Sequence, residues 1–114
     1  MESNKTSYGL IEVSGVTAAI DSLDAMCKAA DVSLVTWERK LGGRLVTVIV
    51  EGSVSDVKAA VEAACAACKR EGLIMAANGV IPNPAEETRK MVALSASRKQ
   101  QNGMTIAEWI PLDV

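Results

Sequence analysis

The residue types that most often carry catalysis are scarce in this chain of 114 residues. It contains no histidine, which removes the commonest general base, proton shuttle and zinc ligand. Two carboxylates, Glu12 and Glu38, fall in neighbouring strand-like segments and could approach one another as an acid–base pair. An outward-facing or interfacial charge on each strand is the simpler interpretation, so the sequence predicts a protein that is not an enzyme.

The spacing Cys65-Ala-Ala-Cys68 matches redox and metal sites, but its position argues against both. The two thiols fall late in a helical pattern and on its apolar side, whereas a redox pair needs its first thiol at a helix N-terminus. No second pair of cysteines completes a zinc site. Cys27 makes the count odd, and the N-terminus lacks the layout of a signal peptide, so we expect reduced, buried thiols and no disulfide.

One segment combines backbone freedom with charge. In KLGGR, residues Lys40–Arg44, two adjacent glycines lie between two apolar strand patterns, with a cation at each end. Adjacent glycines allow positive φ and close backbone approach, and from local sequence alone an ordinary hairpin turn is favoured. The pairs Ser14-Gly15 and Gly52-Ser53 precede helices without the spacing of a phosphate-binding loop, and we interpret them as turns and caps.

Composition excludes several classes of protein. Twelve basic and fourteen acidic residues give a net charge of −2 with no long block of either sign, so we expect no nucleic-acid partner. No apolar run approaches the roughly 20 residues of a membrane span, so we expect no membrane partner. The apolar residues are mostly Ala, Val, Ile and Leu, which fits one small domain whose burial an oligomer would increase.

The elements that must position these residues follow from hydrophobic periodicity. Strand patterns cover residues 7–13, 32–39, 45–50 and 73–81, and helix patterns cover 16–30 and 54–70. The second helix has the clearest limits, with Ser53 and Asp56 placed for a capping box and Gly72 at its end. A further helix begins at Pro84 and reaches Leu94, a polar connector follows at 95–103, and an apolar tail ends the chain. This order predicts an α+β domain in which two helices cover one face of a single sheet.

Each of the two main helices is expected to bury one apolar stripe. In the first helix the stripe is Val16, Ala19, Ile20, Leu23, Met26, Cys27 and Ala30. In the second it is Val54, Val57, Ala60, Val61, Ala64, Cys65 and Cys68.

Five segments, taken together, resemble the bacterial microcompartment (BMC) shell domain in its single-domain, hexamer-forming type. They are YGLIEVSG (8–15), AAIDSLDAMCKAADVSLV (18–35), WERKLGGRLVTVIVEGSV (37–54), VKAAVEAA (57–64) and VIPNP (80–84). Each segment is degenerate alone, but their order and spacing are those of the family. The resemblance implies a ferredoxin-like BMC domain with an antiparallel sheet at residues 8–93, after a leader at 1–7 and before a C-terminal extension at 94–114.

The resemblance also implies a structural role, as a cyclic homohexamer that tiles with other shell proteins into a microcompartment shell in the cytoplasm. In the family the loop between the second and third strands lines the pore on the sixfold axis. The candidate pore-lining residues are therefore Lys40, Leu41, Gly42, Gly43 and Arg44. Six copies would form a cationic ring that favours passive passage of anions and polar metabolites. This loop carries no cysteine for an iron–sulfur cluster, so we expect no cofactor and no metal.

Two positions correspond to the contact between neighbouring hexamers. Lys28 matches the family's edge lysine, whereas Asn83 stands in place of the arginine of the family's I-P-R-P segment. Asparagine in place of arginine removes a positive charge and a guanidinium group that can donate two parallel hydrogen bonds. The usual association of hexamers into sheets is therefore in doubt. The tail, with Trp109 and Ile110, could pack on its own ring, contact another shell protein or an encapsulated enzyme, or stay mobile. Packing is favoured because exposed large apolar side chains are costly.

A second function from another class is compatible with the same fold. Ferredoxin-like domains often oligomerise and bind metabolites between subunits, so a small-molecule-binding regulatory module is the alternative. The number of subunits in the assembly separates the two hypotheses.

Overall fold

A computed structural model of the chain describes residues 6–39 and 43–101. Its elements are β1 (Ser7–Ser14), α1 (Val16–Ala29), β2 (Ser33–Arg39), β3 (Leu45–Gly52), α2 (Val54–Glu71), β4 (Met75–Ile81) and α3 (Glu86–Gln101). The strands form one sheet in the order β2-β3-β1-β4, and every neighbouring pair is antiparallel. The predicted α+β class and strand–helix order are confirmed.

The capping residues at the two ends of α2 explain why its limits could be predicted from the sequence. The Ser53 hydroxyl accepts the backbone N–H of Asp56 at 3.1 Å and donates to its carboxylate at 2.8 Å. At the other end Gly72 adopts φ 71°, and its N–H caps the last carbonyls of the helix. Asp56 also accepts the backbone N–H of Asp31 at 3.3 Å, which ties the start of α2 to the segment between α1 and β2.

Helices α1 and α2 pack on the same face of the sheet and enclose the main core. Its fully buried side chains include Ile11, Val13, Met26, Val46, Val48, Val50, Val57, Ala60 and Ala64. The expected stripe of α1 is partly wrong, because Ile20 is 43% exposed and Cys27 is exposed. Ser22 faces the core instead, and its hydroxyl lies 3.4 Å from the Cys68 thiol. A buried hydroxyl in contact with a thiol is not visible in a pattern of apolar residues.

The stripe of α2 is largely as expected. Val57, Ala60, Val61, Ala64 and Cys68 are buried, but Val54 is exposed and Cys65 is only half-buried. Ala67 takes part in the buried face although the predicted stripe left it out.

Gly9 on β1 allows α2 to approach the sheet closely. A Cβ atom at this position would lie 3.1 Å from Val61 Cγ2, 3.2 Å from Val57 Cβ and 3.3 Å from Val50 Cγ2. These distances are shorter than ordinary van der Waals contact, and the three valines have little room to move in a close-packed core.

Gly9→Ala is expected to lower the free energy of unfolding by about 1–3 kcal/mol, because overpacking forces the neighbouring valines off their preferred positions. Urea unfolding followed by circular dichroism, at one fixed protein concentration, measures the change. Val61→Ala supplies the matched background, since it removes the Cγ2 atom that a Cβ at Gly9 would meet at 3.1 Å, and the cost of Gly9→Ala should be smaller there. An equal cost in both backgrounds would show that contact with Val61 does not limit the packing of α2.

The opposite face of the sheet is covered in part by α3. Val92 packs with Tyr8 and Ile49, and Leu10 and Val35 lie beside this smaller cluster. The further helix is therefore present, but it continues to Gln101, so the polar connector expected from residue 95 is wrong up to that point. The polar residues there are helical because several contact β2, as described below. Within the described ranges no helix is both long and apolar enough to cross a membrane.

Candidate functional site

The candidate residues fall at two opposite ends of the sheet. Arg39 and Val46 pair beside the loop at 40–44, and Ser14 pairs with Leu45 at the same end. Tyr8 pairs with Ile81 at the other end, where β4 leads into the turn containing Asn83. Strands rise about 3.3 Å per residue, so the eight residues of β1 separate the two ends by roughly 25 Å.

The loop end of the sheet brings positive charge and a helix N-terminus together. The Gly15 N–H donates to the Arg44 carbonyl at 2.7 Å, which anchors the loop beside the start of α1. Gly15 adopts φ 99°, provides no side-chain cap, and no acidic residue follows in the first turn of α1. The positive end of the helix dipole is therefore not offset by a carboxylate within that turn.

Arg39 is a candidate residue that the sequence analysis missed. It lines a cavity of about 30 Å³ together with Gly15, Val16, Gly43, Arg44 and Val46. Arg39 is half-buried and Arg44 is exposed, and both line this cavity beside the start of α1. Of the predicted pore-lining residues, Gly43 and Arg44 lie here, while Lys40, Leu41 and Gly42 lie outside the described residues. Arg39 is the last residue of a strand pattern, and nothing in that pattern predicts that its side chain lies beside the loop.

The other end of the sheet carries Lys28 and Asn83. Lys28 Nζ lies 2.8 Å from Asp24 Oδ2, one turn earlier on α1, and both side chains are exposed. The hydrogen bond with Asp24, and then its charge, raise the pKa of Lys28. Asn83 adopts φ 50°, a left-handed conformation that asparagine tolerates better than most residues. The Lys28 ammonium is thus already paired within its own subunit.

Arg89 on α3 holds the turn that contains Asn83. Its Nε donates to the Pro84 carbonyl at 3.2 Å, and its Nη2 donates to the Thr6 carbonyl at 3.0 Å. A single guanidinium therefore joins the start of β1 to the residue that follows Asn83.

The two carboxylates considered for catalysis are not on adjacent strands. Strand β3 lies between β1 and β2, and Thr47 pairs with Glu12 on one side and Glu38 on the other. Thr47 Oγ1 donates to Glu12 at 3.5 Å, a long hydrogen bond. Two strand spacings, roughly 10 Å, separate the two backbones, so the expectation that these segments are neighbours is wrong.

Glu38 instead belongs to a polar cluster between β2 and α3. Its carboxylate accepts from the Ser95 hydroxyl and, at 2.8 Å, from Lys99 Nζ. Burial raises the pKa of Glu38, but the hydrogen bonds from Lys99 and Ser95 and the charges of Lys99 and Arg98 outweigh it, so the pKa is lowered. A lowered carboxyl pKa adds stability at neutral pH that is lost as the pH falls through that pKa.

A groove lies on the part of the sheet that α3 leaves uncovered. Its volume is about 370 Å³, and its lining comes from β1, β3 and β4. The lining residues are Leu10, Ile11, Glu12, Thr47, Ala77, Asn78, Gly79, Val80 and Ile81. Strand β4 forms the outer edge of the sheet beside this groove, and Ala77 and Ile81 are exposed. The surface is largely apolar and has one carboxylate, that of Glu12.

The cysteines differ from the expectation that all three are buried. Cys68 is buried and Cys65 half-buried, but Cys27 is exposed on α1. Burial, followed by the Cys68 thiol and the Glu62 charge, raises the pKa of Cys65, which opposes the thiolate that redox chemistry needs. Among the residues that the structure describes, no group of three or more His, Cys, Asp or Glu could hold a metal ion.

Comparison with known proteins gives consistent matches. The family model described as BMC domain matches residues 7–84. The bacterial microcompartment shell protein PduA of Salmonella typhimurium is 46% identical over 92 residues, which cover 81% of this chain and 96% of that protein. The carboxysome shell protein CsoS1C of Hydrogenovibrio crunogenus is 44% identical over 91 residues, covering 80% of this chain and 88% of that protein.

A solved structure has the same fold. The crystal structure of a microcompartments protein from Desulfitobacterium hafniense DCB aligns with a TM-score of 0.66 at 26% identity and covers 79% of this chain. The alignment covers 48% of that protein, so this chain spans about half its length.

Proposed function

This chain belongs to the BMC domain family of bacterial microcompartment shell proteins, and from this premise we propose that it forms a cyclic homohexamer with a central pore. The chain is a shell subunit, and its named relatives are shell proteins of microcompartments and carboxysomes. The pore passes small polar or anionic metabolites by diffusion, and the work of the protein is assembly and selective permeability. Other shell proteins are its partners in the shell.

The observation that carries the pore is the grouping of positive charge at one end of the sheet. Arg39 and Arg44 flank the loop, Lys40 lies within it, and the uncapped N-terminus of α1 is adjacent. A sixfold axis beside this end would repeat these charges six times and attract anions by their summed potential. Lys28 and Asn83 lie at the opposite end of the subunit, where an outer rim contact with the next hexamer would be made.

The groove and the edge of β4 supply a surface for a neighbouring subunit. The groove is largely apolar and lies beside the edge of β4, whose single strand neighbour among residues 6–39 and 43–101 is β1. An apolar surface of this kind is costly to leave in water, and a closed ring covers it on every subunit. We propose that a second copy of this chain occupies the groove.

Native mass spectrometry of the purified protein tests this proposal. A dominant hexamer supports the ring, and residues 40–44 can then be tested as the lining of its pore. A stable monomer or dimer contradicts the ring and favours the alternative, a small-molecule-binding regulatory module, for which the same spectra would be recorded with candidate metabolites.

Asn83→Arg is expected to strengthen lateral association of hexamers into sheets, because it restores a charged, forked donor at the rim. The left-handed φ of 50° at this position is less favourable for arginine, so we expect a loss of about 1 kcal/mol in subunit stability. Negative-stain electron microscopy and sedimentation at matched protein concentrations measure sheet formation.

Asn83→Gln is the matched control, since it imposes a similar backbone cost without the guanidinium. If Asn83→Arg leaves sheet formation unchanged while Lys28→Ala abolishes it, the assignment of Asn83 to the rim contact is wrong.

A further inference from the structure

Helix α3 contacts β2 immediately before the candidate pore loop. Glu38 is separated from the loop at 40–44 by Arg39 alone, and it accepts hydrogen bonds from Ser95 and Lys99. These two residues lie beyond residues 7–84, which the BMC domain model matches. The part of the chain that follows the matched domain therefore contacts the strand end that leads into the loop.

The hydroxyl group of Ser95 uses all of its hydrogen-bonding capacity within this cluster. Ser95 has one hydroxyl proton and donates it to Glu38, so Thr36 must be the donor in its 2.7 Å contact with Ser95. Lys99 Nζ donates to Ser95 at 3.4 Å as well as to Glu38 at 2.8 Å. Ser95 thus uses its proton and both lone pairs. Thr36 is buried, with 2% of the residue exposed, so replacing Ser95 leaves a buried hydroxyl without this acceptor.

The side chain of Lys99 is held on two sides. Its Nζ lies 5.1 Å from the centre of the Trp37 ring, and the side chain is only 16% exposed. Three consecutive residues of β2, Thr36 to Glu38, therefore contact α3. Within the described residues β2 is an edge strand that pairs with β3 alone, so the contacts with α3 add to the restraint that β3 supplies.

We propose that α3 is a strap that fixes the end of β2 from which the pore loop starts, and that Ser95 and Lys99 are positioning residues for that loop. The proposal rests on the proposed function in taking residues 40–44 as the lining of the pore. The restraint itself can be measured whether or not the loop lines a pore.

Hydrogen–deuterium exchange of the assembled protein tests the strap. In Lys99→Met and in the double variant Ser95→Ala/Lys99→Met, amides at 39–46 should exchange about tenfold faster, the size expected from losing hydrogen bonds to a charged group. Amides in β4 and the middle of α2 should keep their wild-type rates. Lys90→Met is the matched control, because Lys90 is on the same helix and its ammonium lies in an exposed ion pair with Glu87, away from β2. Lys99→Arg should restore most of the protection.

The outcomes separate the strap from the pore. Unchanged exchange at 39–46 in the double variant overturns the strap, and so does faster exchange confined to α3. Faster exchange at 39–46 with unaltered ion selectivity across the hexamer supports the strap and counts against the pore assignment. Faster exchange together with altered selectivity supports both.

Discussion

Ala77→Lys is expected to abolish the proposed hexamer while leaving the subunit folded. Ala77 is exposed on β4, lines the groove, and lies directly opposite Glu12 on β1. Within a subunit, a lysine here gains an opposite-charge cross-strand partner, so the sheet should tolerate it. Within a ring, its stem would occupy the groove, and its ammonium and the Glu12 carboxylate would be taken out of water together against the neighbouring copy. Because desolvating an ion pair and displacing a packed neighbour both oppose association, we expect a loss of about 3 kcal/mol, which is roughly a hundredfold in association at each contact.

Native mass spectrometry and size-exclusion chromatography measure this loss, and far-ultraviolet circular dichroism verifies the fold. Ala93→Lys is the matched control, since Ala93 is an exposed alanine on α3 that does not line the groove. Hexamers of Ala77→Lys with wild-type abundance would show that the groove is not the subunit contact. Loss of the hexamer in both variants would point to a general effect of added charge instead.

The order of strands and helices could be predicted because local signals were consistent with one another. The capping residues Ser53 and Asp56 and the stop at Gly72 bounded α2, and apolar runs marked the strands. Burial along α1 could not be predicted as well, because the face of a helix that packs is chosen by its neighbours. Ser22 is buried against Cys68 from α2, whereas Ile20, which fits the apolar pattern, is 43% exposed.

The C-terminal helix shows the same limit more clearly. Apart from Ala96, residues 95–101 are polar and show no apolar periodicity, a pattern that is typical of a connector. The helix continues because Ser95 and Lys99 find partners on β2, some 60 residues earlier in the chain. Long-range polar pairing leaves no local pattern in a single sequence, and the same is true of the position of β3 between Glu12 and Glu38.

The candidate site was predictable only where it coincides with a family motif. The family motif at KLGGR predicts the pore lining at residues 40–44, and Arg44 lies at the loop end of the sheet beside the start of α1. Arg39 was missed because a strand pattern assigns it to β2. Arg39 lines the same cavity as Arg44 and the start of α1, a proximity that depends on tertiary structure.

Lys40→Ser/Arg44→Ser is expected to lower the anion preference of the proposed pore by about tenfold, because it removes two cations per subunit from beside the proposed sixfold axis. The fold should survive, since the anchor at Arg44 uses its backbone carbonyl, which serine retains. The effect should be larger at low ionic strength, because screening shortens the reach of charge to about 10 Å at 0.1 M salt. Reversal potentials of hexamers in planar bilayers, recorded under a KCl gradient, measure the ion preference.

Lys58→Ser/Lys90→Ser controls for the change in net charge. Lys58 is exposed near the start of α2 and Lys90 is exposed near the start of α3, which places both toward the end of the sheet opposite the loop. If charge near the axis determines selectivity, only the first double variant alters the reversal potential. An equal change in both would mean that the overall charge of the ring determines the preference. No change in either would mean that the side chains of Lys40 and Arg44 do not face the axis, and the N-terminus of α1 and Arg39 would then be the next positions to alter.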